Sequence, residues 1–296
     1  MARIAVLGAT GMLGHVACQV LSQGHQVFGV TRRAREACRD LEEICGRGFS
    51  LAEHVDVHDL AGLYERLDAL DPEVVVNCAG LVKQRPDADD PMLMLGANAL
   101  LPRRVAKWCD RRKAKLIQVS TDCVFSGRHG YYSELATPDP TDLYGCSKLL
   151  GEIERLPHLT LRTSLIGPGG SVSGGLFAWF IAQRGRRVQG FGRAIFSGLT
   201  TAAFARVLLR LIDGHRELSG LFHVAAKPIS KYDLLVEIER RLRLGTIVVR
   251  DDTLICDRSL DGRDFEARTG IAAPPWNAML DELCLCPVEP TMGDGW

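Results

Sequence analysis

Three glycines, Gly8, Gly11 and Gly14, stand between the first strand-like run of the chain and its first helical pattern. The run Arg3–Leu7 is apolar and β-rich, and Leu13–Ser22 repeats apolar residues at helical spacing. Glycine at such positions permits a tight turn, close packing of helix on strand, and close approach of backbone N–H groups to a ligand. A helix starting there aims the partial positive charge of its N-terminus at whatever the turn holds. Gly8-Ala9-Thr10-Gly11-Met12-Leu13-Gly14 therefore predicts a strand–turn–helix suited to the pyrophosphate of a dinucleotide.

Such a strand needs parallel neighbours, each reached by a crossover. The chain supplies them. Strand-like runs recur at Gln26–Val30, Val74–Cys78, Leu116–Ser120 and Leu159–Ser164, with helical patterns at His58–Leu70, Ala97–Cys109 and Gly145–Leu156. Val74-Val75-Val76 is a continuous apolar run, as expected of a strand covered on both faces. This alternation predicts right-handed βαβ units and an α/β fold with a doubly wound parallel sheet. A helix at Thr201–Ile212 and a strand at Leu221–Ala225 follow late in the chain. From about Gly167 the rhythm breaks: Gly167-Pro168-Gly169-Gly170 and Ser173-Gly174-Gly175 read as loops. After Pro228 come a helix (Lys231–Leu242), a short strand (Thr246–Arg250) and a Pro-rich end. We expect residues 1–166, rejoined by 201–228, to form the sheet domain. Residues 167–200 and 229–296 then form a smaller, discontinuous substrate lobe at the C-terminal edge of the sheet.

Composition narrows the function classes. The 296 residues are 46% hydrophobic, enough for a substantial core. Basic and acidic residues balance at 36 each, which gives no argument for nucleic acid or an acidic membrane surface as partner. No apolar run approaches the roughly 18 residues of a membrane span, and the N-terminus turns Gly-rich too soon for a signal peptide. A soluble, cytoplasmic protein is expected. The ten cysteines are scattered, and Cys18, Cys78 and Cys109 sit in apolar settings that suit reduced thiols. Cys284-x-Cys286 lacks a second half, so no metal is expected.

The second strand ends Val30-Thr31-Arg32-Arg33, without the carboxylate that commonly binds the ribose 2′-hydroxyl of NAD. A guanidinium suits a 2′-phosphate through planar, paired hydrogen bonds. Thr31, Arg32 and Arg33 therefore favour NADPH, with NADH the second candidate. Asp56 and Val57, after a third strand, suit the adenine edge.

Tyr144 and Lys148 lie four residues apart on one helix face. A tyrosine ionises near pH ~10, and a neighbouring cation favours its phenolate. Such a pair can give a proton to a developing alkoxide or take one from an alcohol. Upstream, a β-rich run ends Ser120-Thr121-Asp122-Cys123-Val124-Phe125-Ser126-Gly127. A hydroxyl at the C-terminal end of a parallel strand faces the crevice where such sheets bind ligands.

Together these motifs resemble the extended short-chain dehydrogenase/reductases, a Rossmann family, and most of all their dTDP-4-dehydrorhamnose reductase branch. The matching residues are the glycine loop, Asn77-Cys78-Ala79-Gly80, the run 120–127 and Tyr144-Gly145-Cys146-Ser147-Lys148. Leu161-Arg162-Thr163, Leu260-Asp261 and Pro275-Trp276 match as well, so the resemblance spans nearly the whole chain. It implies hydride transfer to a ketone carbon of a nucleotide-bound sugar, here a 4-keto-6-deoxy sugar. Thr121 would hydrogen-bond the substrate oxygen, Tyr144 would protonate it, and Lys148 would hold the nicotinamide ribose and lower the tyrosine pKa. The resemblance adds Thr10, Met12, Leu13, Cys78, Ala79, Gly80 and Asn98 to the dinucleotide contacts. The superfamily also leads us to expect a homodimer.

Two stretches depart from the branch. Cys123 stands where an aromatic tyrosine is usual, and Leu81-Val82-Lys83-Gln84-Arg85 differs from its pattern. Both border the substrate, so the sugar need not be 4-dehydrorhamnose. Lys83, Gln84 and Arg85 are candidates for diphosphate or hydroxyl contacts, beside Asp122, Cys123 and Val124. Arg193 is a candidate for the diphosphate, and Phe177 and Trp179 for the base or sugar face. Aromatics at helical spacing also serve a core, and loop cations are also simply solvated. Two other readings stay open: an epimerase or dehydratase that retains NAD(P), and a non-catalytic dinucleotide-binding regulatory subunit. The missing carboxylate after strand two, and Cys123 where dehydratases carry Glu, argue against the first. Intact Thr121, Tyr144 and Lys148 argue against the second.

Overall fold

In the computed structural model, which describes residues 1–83, 88–169 and 175–285, the run Arg3–Leu7 (β1) takes an interior position in a seven-stranded sheet. After α1 (Gly14–Leu21) follow β2 (Gln26–Val30), α2 (Arg39–Cys45), β3 (Phe49–Ala52), α3 (Leu60–Leu70) and β4 (Val74–Asn77). Then come α4 (Pro91–Leu95), α5 (Leu101–Arg112), β5 (Lys115–Thr121), α6 (Leu143–Leu150) and β6 (Leu159–Thr163). β7 (Leu165–Ile166), α7 (Leu176–Ala182), β8 (Arg187–Phe191), β9 (Ala194–Phe196) and β10 (Leu199–Thr200) lead away from the sheet; α8 (Thr201–Gly214) and β11 (Gly220–His223) return to it.

The strand order is β3-β2-β1-β4-β5-β6-β11, every pair parallel. It is the doubly wound sheet that the alternation predicts. The order reverses between β1 and β4, which opens a crevice at the carboxyl ends of the strands. Alternate side chains serve opposite faces. Ile4, Val6, Val74 and Val76 join α1 and α8 in one apolar cluster, while Ala5, Leu7 and Val75 join α3 and α5 in another. Burial on both faces explains why β4 and β5 are enclosed along their whole length.

Several boundaries differ from expectation, each for a physical reason. The third strand, anticipated before Asp56 without limits, is β3. The helix expected over His58–Leu70 starts at Leu60, because the Asp59 carboxylate caps it by accepting from Gly62 N at 3.2 Å. The pattern Ala97–Cys109 is split into a π-helical turn, Gly96–Leu100, and α5, which carries Pro102 in its first turn. The stretch Gly145–Leu156 forms the shorter α6. Asp142 caps it early, accepting from Gly145 N at 2.7 Å. At Gly151 a Cβ would lie 1.9 Å from the Asn98 carbonyl oxygen, so the chain passes there only as glycine.

The last third continues with β12 (Ile229–Ser230), α9 (Lys231–Leu242), β13 (Ile247–Asp251), β14 (Cys256–Asp257), α10 (Arg263–Thr269) and α11 (Trp276–Leu283). β9 lies between β12 and β14, and β8 pairs with β13. Phe177, Phe180, Val188, Phe196, Leu234, Ile238 and Leu280 form the apolar centre of this region. Phe265, Ile271 and Met279 instead join the cluster under the large sheet. We propose the division anticipated above, residues 1–166 with 201–228 against 167–200 with 229–296, and α10 and α11 tie the two parts together. No helix among the described residues is long and apolar enough to cross a membrane.

Candidate active site

Gly8, directly after β1, has φ +75°, the left-handed region that suits glycine. Gly8 N and Ala9 N donate to the Val30 carbonyl at 3.1 and 3.2 Å, and Gly11 N donates to Gly8 O at 2.9 Å. A Cβ on Gly14 would sit 2.0 Å from Gly8 O. α1 then opens with no side-chain cap and no acidic residue in its first turn. His15 N is taken by Gly11 O at 3.1 Å, and the start of the helix otherwise suits an anion such as the diphosphate of a dinucleotide. Leu13 is buried in the core, whereas Thr10, Gly11 and Met12 are partly accessible. A Cβ on Gly175 would lie 3.4 Å from Met12 Sδ, so the approach to α7 passes beside this loop.

Around the loop, the Thr31 hydroxyl is buried, lies 3.3 Å from Thr10 Oγ1 and accepts from Arg33 N at 3.2 Å. Arg32 is exposed and Arg33 half-buried. The exposed Asp56 accepts from His58 N at 2.9 Å, and Val57 beside it is half-buried. Cys78 N donates to Leu7 O at 3.0 Å, and Ala79 packs so closely on Gly8 that a Cβ there would meet its backbone at 2.9 Å. Gly80 is exposed and lies against Asn98. Asn98 itself is fully enclosed. Its amide accepts from Leu81 N and donates to Leu81 O, both at 2.9 Å, and donates to Ser147 Oγ at 3.1 Å. Asn98 thus fixes the loop after β4 from behind.

The carboxyl end of β5 brings Thr121 to Tyr144 and Lys148 of α6. Thr121 is buried; its hydroxyl donates to Asp122 Oδ1 at 3.2 Å and accepts from Cys123 N at 3.1 Å. It therefore caps the next turn, and it lies close enough to Tyr144 to lower the pKa of that phenol. Tyr144 packs beside Leu81, Met94 and Ala97, with Lys83 Nζ 5.4 Å from its ring centre. Lys148 is buried and donates to the Val119 carbonyl at 2.6 Å. Burial pushes its ammonium down from 10.5 to about 8, against the pull of Glu152 and Cys78.

One expectation is corrected here. Tyr144 is raised above its ordinary pKa, not lowered. Burial is the main cause; Cys123 adds to it, the Thr121 hydrogen bond opposes it, and Asp122 and Asp142 raise it further. Lys148 is not among the groups that shift it most.

Behind Lys148, two residues past the end of α6, Glu152 is paired with Arg162 of β6, with contacts at 2.8 and 2.7 Å and both side chains 3% exposed. Ser120 Oγ donates to Glu152 Oε1 at 2.6 Å, and His223 of β11 lies 3.3 Å from Arg162 Nη1. His223 is held down to about 4 by burial and by Arg162, which keeps it neutral.

The candidate substrate residues divide. Asp122 and Cys123 lie beside Tyr144, and Lys83 is ion-paired with Asp142. Val124 is fully buried with Phe125, Tyr132 and Leu260. Phe177 is in the apolar core, and Trp179 packs partly buried against it. Arg193 is exposed on the β8–β9 turn, its carbonyl accepting from Cys256 N at 3.1 Å. Gln84 and Arg85 lie outside the described residues, as does Cys286. Two cations escaped the sequence reading. Lys231 has its Nζ 4.3 Å from the centre of the Phe196 ring and interacts with Asp122, Cys123 and Cys256. Arg258 donates from Nε to Phe125 O at 2.8 Å and places Nη1 3.4 Å from Cys123 Sγ. A lysine in the first turn of a helix, against the helix dipole, was the available signal for the first.

Comparison with known proteins gives the family and the fold. The family described as RmlD substrate binding domain matches residues 2–284. A probable low-salt glycan biosynthesis reductase of Haloferax volcanii is 32% identical over 233 residues, covering 75% of this chain and 74% of its own. A dTDP-4-dehydrorhamnose reductase of Mycolicibacterium smegmatis is 29% identical over 245 residues, covering 78% of this chain and 66% of its own. Among solved structures, the dTDP-4-dehydrorhamnose reductase of Bacillus anthracis, in complex with NADP, superposes with TM-score 0.75 at 20% identity, covering 96% of this chain and 98% of that one.

Proposed function

We infer that this chain, which belongs to the RmlD substrate binding domain family, is an NAD(P)-dependent oxidoreductase that reduces the keto group of a nucleotide-activated 4-keto-6-deoxy sugar. The observation that carries the reading is the meeting of Thr121, Tyr144 and Lys148 at the carboxyl end of β5. A nicotinamide dinucleotide, when bound, supplies the hydride that the carbonyl carbon accepts. The uncapped start of α1 and the glycine loop would hold its diphosphate, and Lys148 its nicotinamide ribose. NADPH is the preferred form in our reading, because Arg32 and Arg33 follow β2 where a carboxylate would favour NADH.

As the carbonyl carbon gains hydride, charge develops on its oxygen. The Thr121 hydroxyl stabilises that charge by hydrogen bonding, and Tyr144 Oη gives the proton that completes the alcohol. Tyr144, raised above its ordinary pKa, is protonated at neutral pH and so holds the proton that the reduction takes up.

The test is NADPH oxidation at 340 nm across dTDP- and UDP-linked 4-keto sugars, repeated with NADH. We expect turnover of at least one sugar, faster with NADPH. Tyr144→Phe should lower kcat by about 10²–10⁴ while NADPH binding stays near the parent value. Activity that survives this change removes Tyr144 as proton donor. Sugar conversion without net NADPH loss replaces the reductase with an epimerase.

A further inference from the structure

Tyr144 stands in the first turn of α6, just past the Asp142 cap, so its phenol is only as steady as that turn. Asp142 Oδ1 accepts from Gly145 N at 2.7 Å, and the Asp142 carbonyl accepts from Cys146 N at 3.0 Å. The second carboxylate oxygen, Oδ2, accepts from the ammonium of Lys83, which comes from the loop after β4. The same ammonium lies 5.4 Å from the centre of the Tyr144 ring, within the range at which an aromatic face attracts a cation. One side chain thus spans the cap of the helix and the face of the phenol. A second tie joins the same loop to the same helix from behind. Leu81 N donates to the Asn98 amide and Leu81 O accepts from it, both at 2.9 Å. That amide also donates to Ser147 Oγ at 3.1 Å, and Ser147 Oγ donates to the Tyr144 carbonyl at 2.8 Å. The rear tie fixes the tyrosine backbone and leaves its side-chain torsions open. Groups that touch the ring decide where Oη points. Leu81, Met94 and Ala97 pack beside it, and Lys83 is the charged group among them.

We propose that Lys83 is a positioning residue: held by Asp142, its ammonium fixes the Tyr144 ring in the orientation that brings Oη to the substrate oxygen. It acts through Asp142 and Tyr144, without touching the sugar or its diphosphate. A charge-assisted hydrogen bond anchors the ammonium, and the ring quadrupole holds the phenol against it. This role differs from the substrate contact anticipated for Lys83, and the two predict different kinetics. A positioning group changes the rate of the bound complex, whereas a substrate contact changes its affinity. The proposal rests on the reading of Tyr144 as proton donor.

The experiment compares the full chain with Lys83→Met, Lys83→Arg, Asp142→Asn and the double variant Lys83→Met with Asp142→Asn, in keto-sugar reduction with NADPH. Asparagine keeps a cap for Gly145 N while removing the charge that holds Lys83. We expect Lys83→Met and Asp142→Asn each to lower kcat by about 10- to 100-fold, with KM for sugar and NADPH within about twofold of the parent. The double variant should be no slower than either single one, because both changes break one interaction. Lys83→Arg, which keeps the cation, should stay close to the parent. A raised sugar KM at unchanged kcat makes Lys83 a substrate contact and overturns the proposal. Unchanged kinetics, or losses that add in the double variant, overturn it as well. A second measurement needs no turnover: hydrogen exchange of the segment 142–150, read by mass spectrometry. We expect the first turn of α6 to exchange at least about tenfold faster in Lys83→Met than in the parent and Lys83→Arg, with α8 unchanged. Exchange equal to the parent overturns the tie. The two readings also fail separately. Faster exchange in a chain that reduces no sugar keeps the tie and sinks the reductase, whereas unchanged exchange and kcat in a working reductase do the opposite.

Discussion

The role proposed for Lys148 sets chemistry against stability. Its folded pKa of about 8 lies below the ordinary 10.5. Below pH 8 both folded and unfolded chains hold the proton, and the folded state carries the full cost of burying it. Between about 8 and 10.5 the unfolded chain alone binds it, so stability rises with pH through that window. Lys148→Met should therefore melt higher than the parent at pH 7, by on the order of 1–3 kcal/mol in unfolding free energy. The advantage should shrink as the pH approaches 10. Thermal melting of both proteins from pH 7 to 10 checks this; a difference that does not change with pH would mean that the ammonium is not its source.

Among the elements, β5, β6, β11 and the end of α6 are joined by the Ser120–Glu152–Arg162–His223 chain of contacts. The Glu152–Arg162 pair is buried, so removing one partner strands a charge that water cannot reach. Arg162→Met should cost about 3–5 kcal/mol, and Arg162→Met with Glu152→Leu much less. Urea denaturation of the parent, both single variants and the double variant measures the coupling; additive losses would show that the pair acts as two independent groups. Much at this scale was legible beforehand. The sheet strands and α9 follow local periodicity, and the expected limits of α9, Lys231–Leu242, match the structure. Thr121, Tyr144 and Lys148 were legible because their meeting needs only one strand end and one helix. α6 was read too long because its end is set by Gly151 against Asn98, a contact no local pattern carries. Lys231 and Arg258 were missed for the same reason: β9 brings them together, and nothing in either segment announces the other. The tyrosine shift was misjudged because spacing on a helix gives proximity but not the burial that dominates the phenol.

For the whole molecule, the residues after Pro228 matter to both parts. Cutting the chain after Pro228 would remove Phe265, Ile271 and Met279 from the cluster under the sheet, and Leu234, Leu235, Ile238 and Leu280 from the second one. At about 1.5–3 kcal/mol for each buried side chain the loss is roughly 10–20 kcal/mol, as large as the net stability of an ordinary domain. The fragment 1–228 should show no cooperative melting transition by circular dichroism; a sharp transition would show the sheet to be self-sufficient. The placement of β11 matters earlier, during synthesis. β6 has β5 on one side, and its other neighbour, residues 220–223, is made only after the long excursion through β7 to α8. A nascent chain therefore leaves the ribosome with β6 as an open edge of unpaired backbone groups. For that interval the growing protein depends on dilution and chaperones to avoid pairing with another chain.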